Sequence, residues 1–225
     1  PSGNYDTYGW DYVHLENATH HVWVDHCDFE QVYDGMIDAT HACDYITVSW
    51  NIFRYQKKCS LIGHSDNNAA EDSGHLNVTF QHNFYDSVAE RMPRMRFGNA
   101  HVFNLYSYNM GAYSPSNNEA QAKGIESTAS AATLVENAYF DHAQSGTYPS
   151  VDVNGGPTGT IKVVNSIITN SPGANPFIEN GAATFIFNAP FVTNQPPYPY
   201  AQVLDPVQNV PNIVTNYAGV GKISF

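Results

Sequence analysis

Four segments of this 225-residue chain share one pattern, an alternating apolar run that reaches a polar corner and resumes on an aromatic or apolar residue: Val22-Trp-Val-Asp-His-Cys-Asp-Phe29, Ile46-Thr-Val-Ser-Trp-Asn-Ile-Phe53, Val78-Thr-Phe-Gln-His-Asn-Phe-Tyr85 and His101-Val-Phe-Asn-Leu-Tyr-Ser-Tyr108. Fainter copies follow at Leu134-Val-Glu-Asn-Ala-Tyr-Phe140, Lys162-Val-Val-Asn-Ser-Ile-Ile168 and Phe185-Ile-Phe-Asn-Ala-Pro-Phe191. Aligning Val24, Val48, Phe80 and Phe103 gives steps of 24, 32 and 23 residues. A strand-bearing repeat of about 20 to 30 residues, varied by insertion, marks a solenoid in which each coil buries its inward side chains against its neighbours. The expected fold is all-β, a parallel β-helix. Asparagine at matching corners (Asn51, Asn83, Asn137, Asn165, Asn188) supports it, since asparagine tolerates left-handed backbone and its amide can bond coil to coil. A β-sandwich, the rival architecture, would space its strands more closely.

Segments 64–75 and 110–122 interrupt the repeat with small, polar and acidic residues and read as projecting loops. The proline-rich stretch 194–211 is expected to run extended along the outside of the coils. No break in composition calls for a second domain, so residues 1–225 are taken as one.

The formal net charge is −12 with only nine Lys and Arg, which argues against a nucleic-acid partner, since phosphate binding needs a broad basic face. No apolar run approaches the length of a membrane span, and residues 1–20 do not form a signal peptide. Cys27, Cys43 and Cys59 allow at most one internal disulfide, and none forms a Cys-x-x-Cys pair suited to structural zinc.

Against that acidic background, Arg91, Arg94 and Arg96 are three of the chain's four arginines within six residues. Guanidinium groups so close repel one another and need an anionic partner, either a ligand or the chain's own acids. On a strand Arg94 and Arg96 share a face, and Pro93 breaks the register that would send Arg91 to the other. Asp34-Gly-Met-Ile-Asp38 places two carboxylates four apart, about 13 Å on one strand face or closer if Gly35 bends the chain. With Asp11 one coil earlier, three hard oxygen donors could gather, enough for calcium if water and substrate complete the shell. On spacing alone, turn or cap duty is the commoner fate of such aspartates.

The motifs His21-Val-Trp-Val-Asp25-His26, Asp34-Gly-Met-Ile-Asp38, Asp44-Tyr-Ile-Thr-Val-Ser-Trp-Asn51, Lys57-Lys-Cys-Ser-Leu-Ile-Gly-His-Ser-Asp66, Val78-Thr-Phe-Gln-His-Asn83 and Arg91-Met-Pro-Arg-Met-Arg-Phe-Gly98 resemble, in order, the pectate and pectin lyases of polysaccharide lyase family 1. The resemblance implies a right-handed parallel β-helix, secretion, and calcium-dependent (Ca2+) β-eliminative cleavage of polygalacturonate. Asp11, Asp34 and Asp38 match the calcium ligands and Lys58 the substrate-binding lysine. Arg91 matches the arginine taken as base, Arg96 the one that grips a substrate carboxylate, and Arg94 lends electrostatic support. In this family a long stretch precedes the calcium aspartates. Residues 1–225 are therefore expected to be the C-terminal part of a longer domain, with an N-terminal segment or separate chain completing the helix.

The residue types suit the chemistry. Removing the C5 proton of a uronate builds a second negative charge beside the C6 carboxylate, which calcium, Lys58 and Arg96 would stabilise. Crowded cations are the means of disfavouring protonated arginine, so an alkaline optimum is expected. A pectin lyase acting without metal on methyl-esterified polymer is the nearest alternative, and the retained aspartates and Lys58 speak against it. A noncatalytic β-solenoid binding acidic polysaccharide is the second. Asp25 and His26, adjacent on a strand, should face opposite ways, with Asp25 supporting the charged cluster or bonding a corner and His26 structural. Trp10, Tyr33 and Tyr113 are candidate sugar contacts.

Overall fold

The computed structural model describes residues 9–112, 123–143, 147–149, 158–171, 177, 179–180 and 182–223. Three parallel six-stranded sheets run side by side. The first sheet comprises Val13–Leu15, Ile37–Ala39, Leu61–Ile62, Arg94–Arg96, Ile125–Thr128 and Thr147–Pro149. The second comprises His20–Asp25, Asp44–Ser49, Asn77–Gln81, Asn99–Phe103, Ala132–Glu136 and Thr160–Val164. The third comprises Asp28–Glu30, Ile52–Arg54, Phe84–Asp86, Tyr106–Tyr108, Tyr139–Asp141 and Ile167–Thr169. The chain visits them in turn and each strand pairs with its counterpart one coil on, which makes a parallel β-helix.

Alternation sorts the side chains. On the second sheet Val24, Val48, Phe80, Val102, Val135 and Val163 form one inward row, so successive coils take 24, 32, 22, 33 and 28 residues. The aromatic after each corner begins a second inward row on the third sheet, where Phe29 stacks on Phe53 at 5.3 Å and Phe53 on Tyr85 at 5.0 Å. Each ring fully removed from water contributes roughly 1.5–3 kcal/mol. That ring stack stops at Ser107, which pairs with Tyr85 and is fully buried. The Ser107 hydroxyl, the Tyr85 hydroxyl and the nearby Thr133 hydroxyl are all buried without a hydrogen-bond partner.

The expected alignment of Phe80 with Phe103 is off by one: Phe80 pairs with Val102, and Phe103 pairs with Gln81. Phe103 points outward yet is buried, because Tyr200 of the tail packs 6.1 Å from its ring. Both parities of this strand are thus apolar, which hides the register.

The corner asparagines divide into two jobs. Asn137 and Asn165 take left-handed backbone (φ 51° and 47°), as expected. At the two preceding long corners the left-handed residues are Trp50 and His82 (φ 53° and 52°), and the asparagines one position later form a ladder. Asn83 Oδ1 accepts the Asn51 amide N–H at 3.0 Å, and Asn51 Oδ1 accepts that of Cys27 at 2.8 Å. Asn188 is no coil corner. The segment around it is not a strand; Phe185 and Phe187 pack outside the second sheet on Ala132 and Leu134, while the Asn188 amide donates to the carbonyls of Phe97 and Ser130. The three cysteines are free thiols.

Segment 64–75 is a loop tied down by the short helix Ala69–Asp72, with Asp72 fully buried and accepting the Ala42 amide at 2.9 Å. Residues 113–122 of the second expected loop lie outside the described residues. The tail does lie along the coils, ending in a helix, Val210–Tyr217, whose Val210 and Val214 pack on Ile52 and Tyr106. Proline, asparagine and β-branched residues give that helix little intrinsic propensity, so packing decides it. The tail is held by polar contacts: Tyr198 Oη lies 2.9 Å from Thr79 Oγ1 and 2.8 Å from His101 Nδ1, His101 Nε2 meets Glu136 at 2.9 Å, and His82 Nε2 meets Asp205 at 2.9 Å.

Burial lowers the pKa of both His82 and His101 below 6.5, against the pull of Asp205 and Glu136. The unfolded chain therefore takes up protons first, and stability falls as pH drops below about 6.5. Hydrogen exchange of residues 198–205 is expected to accelerate between pH 7 and 5, and more steeply than that of Val48 or Phe80; equal slopes would refute the histidine linkage.

Candidate functional site

The outward side of the first sheet carries the charged residues. Asp38 lies on its second strand; Ala39 pairs with Ile62, so Asp38 stands level with Leu61, and Leu61 pairs with Arg94, which pairs with Glu126. His14, Asp38, Leu61, Arg94 and Glu126 thus form one row down the column.

The three aspartates arrive from different directions. Asp34 sits in the bend before the second strand of this sheet rather than on it, so the two-carboxylate strand spacing does not apply. Gly35 makes the bend work: a Cβ there would overlap the carboxylate of Asp38, so glycine alone fits. The Gly35 amide donates to Asp11 Oδ1 at 2.7 Å, and Asp11 Oδ2 faces His14 Nδ1 at 3.0 Å. Asp38 Oδ1 accepts the Leu61 amide at 2.9 Å, and Asp34 Oδ1 lies 3.4 Å from Lys58 Nζ. Lys58, whose backbone bridges to Glu90, enters from the coil between the acids and the arginines.

These carboxylates perturb one another. Burial, then the charge of Asp11, pushes the Asp38 carboxyl up to about 8, with Asp34 adding to it and the Leu61 amide and Arg91 opposing. Asp11 is also raised, chiefly by burial and with a contribution from Asp34. Such a group of crowded acids is a place for a cation, and three hard oxygen donors suit calcium. The cage is not closed, however: among the described residues no three His, Cys, Asp or Glu side chains are gathered tightly enough to hold a metal ion. The donor chemistry fits, with water and a ligand carboxylate needed to complete the shell.

The arginines separate. Arg94 and Arg96 share the outward face of their strand, while Met95 between them is fully buried inside. Arg91 precedes them with left-handed backbone (φ 65°) and lies within electrostatic reach of Asp38 and Arg94. Burial lowers the Arg94 pKa; Glu126, 3.5 Å from its Nε, opposes this, while Arg96 and Arg91 reinforce it. Arg96 is only 7% exposed: its Nε pairs with Asp66 and its Nη1 donates to the Gly63 carbonyl at 2.7 Å. Gly63 itself has φ +84°, and a Cβ on it would meet that of Arg96.

Sequence reasoning missed Asp66 and Glu126. Asp66 reaches Arg96 from a loop, and Glu126 lies a full coil beyond Arg94, so no local spacing announces either. Asp25 and His26 do meet, Oδ2 to Nδ1 at 2.6 Å, because His26 is left-handed (φ 50°) and alternation fails at the corner. Asp25 bonds Ser49 and serves the corner of the second sheet; no contact joins it to the arginines. Trp10 and Tyr33 stand beside the acids, their rings 6.0 Å apart and the Trp10 carbonyl accepting the Asp34 amide, whereas Tyr113 lies outside the described residues.

Residues 2–223 match the pectate lyase family. A pectate trisaccharide-lyase of Thermotoga maritima is 38% identical over 229 residues, 97% of this chain and 60% of that protein. Pectate lyase A of Aspergillus niger is 38% identical over 141 residues, 60% of this chain and 40% of that protein. A pectate lyase of Bacillus sp. N165, solved in complex with trigalacturonate, superposes with a TM-score of 0.70 at 25% identity, covering 95% of this chain and 64% of that one. This chain spans about 60% of the length of the full Thermotoga protein. The superposition gives the fold its hand, that of a right-handed parallel β-helix. The paired strands, the match across nearly the whole chain and the agreement of these relatives place the chain in the pectate lyase family.

Proposed function

We propose that the protein is a secreted pectate lyase that cleaves (1→4)-α-D-galacturonan by calcium-dependent β-elimination, releasing 4,5-unsaturated oligogalacturonides. The observation that carries this reading is the meeting of opposite demands on one face: buried acids whose charge calls for a cation, beside arginines whose charge calls for a carboxylate. A uronate chain and a divalent ion answer both.

Asp11, Asp34 and Asp38 would hold the calcium, which when bound neutralises the substrate carboxylate and acidifies the adjacent C–H. Lys58, already facing Asp34, would orient a carboxylate oxygen of the substrate. Arg96 would bind the carboxylate with the donors that Asp66 and Gly63 leave open, and those two partners fix the plane of its guanidinium. Arg91 takes the C5 proton, and Arg94 and Arg96 supply the positive surroundings that disfavour its protonated form. The C4 oxygen then departs, leaving the C4–C5 double bond. The trigalacturonate bound to the Bacillus relative supports an acidic polysaccharide as substrate.

Turnover is followed by absorbance of the unsaturated product. Polygalacturonate cleavage is expected to need calcium and to peak at alkaline pH; full activity on methylated pectin in chelator would favour a metal-free pectin lyase instead. Arg91→Ala is expected to lower kcat by about 10²–10⁴-fold while sparing calcium binding; an unchanged rate removes Arg91 from the reaction. Gly35→Ala should destabilise the fold by about 1–3 kcal/mol in denaturant titration, through overlap with Asp38, and raise the calcium needed for half-maximal rate. Unaltered stability and calcium demand would contradict the packing of Asp38 against this glycine.

A further inference from the structure

The outward face of the second sheet carries an aromatic surface that the proposed chemistry does not use. Trp23 is 69% exposed, yet its ring is tied in place: Nε1 donates to Ser49 Oγ at 2.6 Å, and that hydroxyl donates to Asp25 Oδ1 at 2.5 Å. An exposed indole held by a two-step hydrogen-bond chain forgoes the mobility it would otherwise have in water. On the next coil Tyr45, also exposed, packs 5.0 Å from His21. Trp23 pairs with Thr47, so Trp23, Tyr45 and Thr47 lie together across two adjacent coils.

Tyr45 and Thr47 then line a cavity of about 330 Å³ whose far wall is the tail, including Phe191, Pro196, Pro197 and Tyr198. In a chain of net charge −12, no Asp, Glu, Lys or Arg lines it. Rings with a few hydroxyls in a half-enclosed, uncharged space are the makings of a small-ligand or sugar site. Rigid aromatic faces cost little conformational entropy on binding, and each is worth roughly 0.5–1.5 kcal/mol beyond its area.

We propose that Trp23, Tyr45 and the adjoining cavity bind a neutral β-(1→4)-linked glycan. Such a chain is a flat ribbon whose pyranose C–H faces pack on aromatic rings, and the Tyr45, Thr47 and Tyr198 hydroxyls can meet its hydroxyl groups. The missing cationic side chains, with Asp25 beside Trp23, disfavour a polyuronate here. The site is separate from the first-sheet residues and does not depend on the lyase reading.

Cellohexaose titrated into the intact protein by calorimetry tests this. Saturable binding with a Kd below about 1 mM is expected. Trp23→Ala and Tyr45→Ala should each weaken it about fivefold to tenfold, with the denaturation midpoint and polygalacturonate turnover unchanged. If Trp23→Ala shifts the midpoint by freeing Ser49, Trp23→Phe keeps a ring and should bind with intermediate affinity. Failure to saturate, affinities within twofold of the parent in both alanine variants, or equal binding of hexagalacturonate would overturn the proposal. So would an indole shielded from acrylamide quenching in the intact protein, since another segment would then occupy the surface.

Discussion

Coil-to-coil backbone pairing in fixed register is the constraint on which the molecule's chemistry rests. A parallel ladder aligns residues that are 22 to 33 positions apart in sequence, so each coil delivers its side chain to a set place in a common row. Asp38, Leu61, Arg94 and Glu126 are neighbours for that reason alone. The inward rows lock the register, because a slip of one residue would turn Val48, Phe80 and Val102 out of the core together.

What the ladder brings together, electrostatics would push apart. Asp38 is buried beside two other acids, and Arg94 is half-buried beside two other arginines. Neither arrangement is the cheapest one for the chain in isolation; the fold holds both, and single opposing partners such as Glu126 and Lys58 moderate them. This is the usual form of a preorganised site, where the cost is met by folding and the ligand finds its complement already set.

The sequence made the solenoid legible because period and corner chemistry repeat: Phe29, Phe53 and Tyr85 mark the same turn three times. It failed where a second layer covers the outside. Phe103 misled the register since Tyr200 buries it from without, and Phe185-Ile-Phe-Asn imitates a coil while packing on one. The acids and arginines were visible as residue types through their motifs. Their partners were not, because Asp66 is brought to Arg96 by a loop and the bend at Gly35 is a matter of one missing methyl group.

The break in the inner aromatic stack has a mechanical meaning. Tyr85 belongs to the coil entered at Leu61 and Ser107 to the coil entered at Arg94, and both hydroxyls face the interior unpartnered, each a deficit of about 1–3 kcal/mol. In a column whose cohesion is a sum over adjacent layers, that junction is the compliant one. It falls between the layer bearing Lys58 and the layer bearing the arginines, so the acidic and basic halves of the site belong to two stiffer blocks joined at a soft seam.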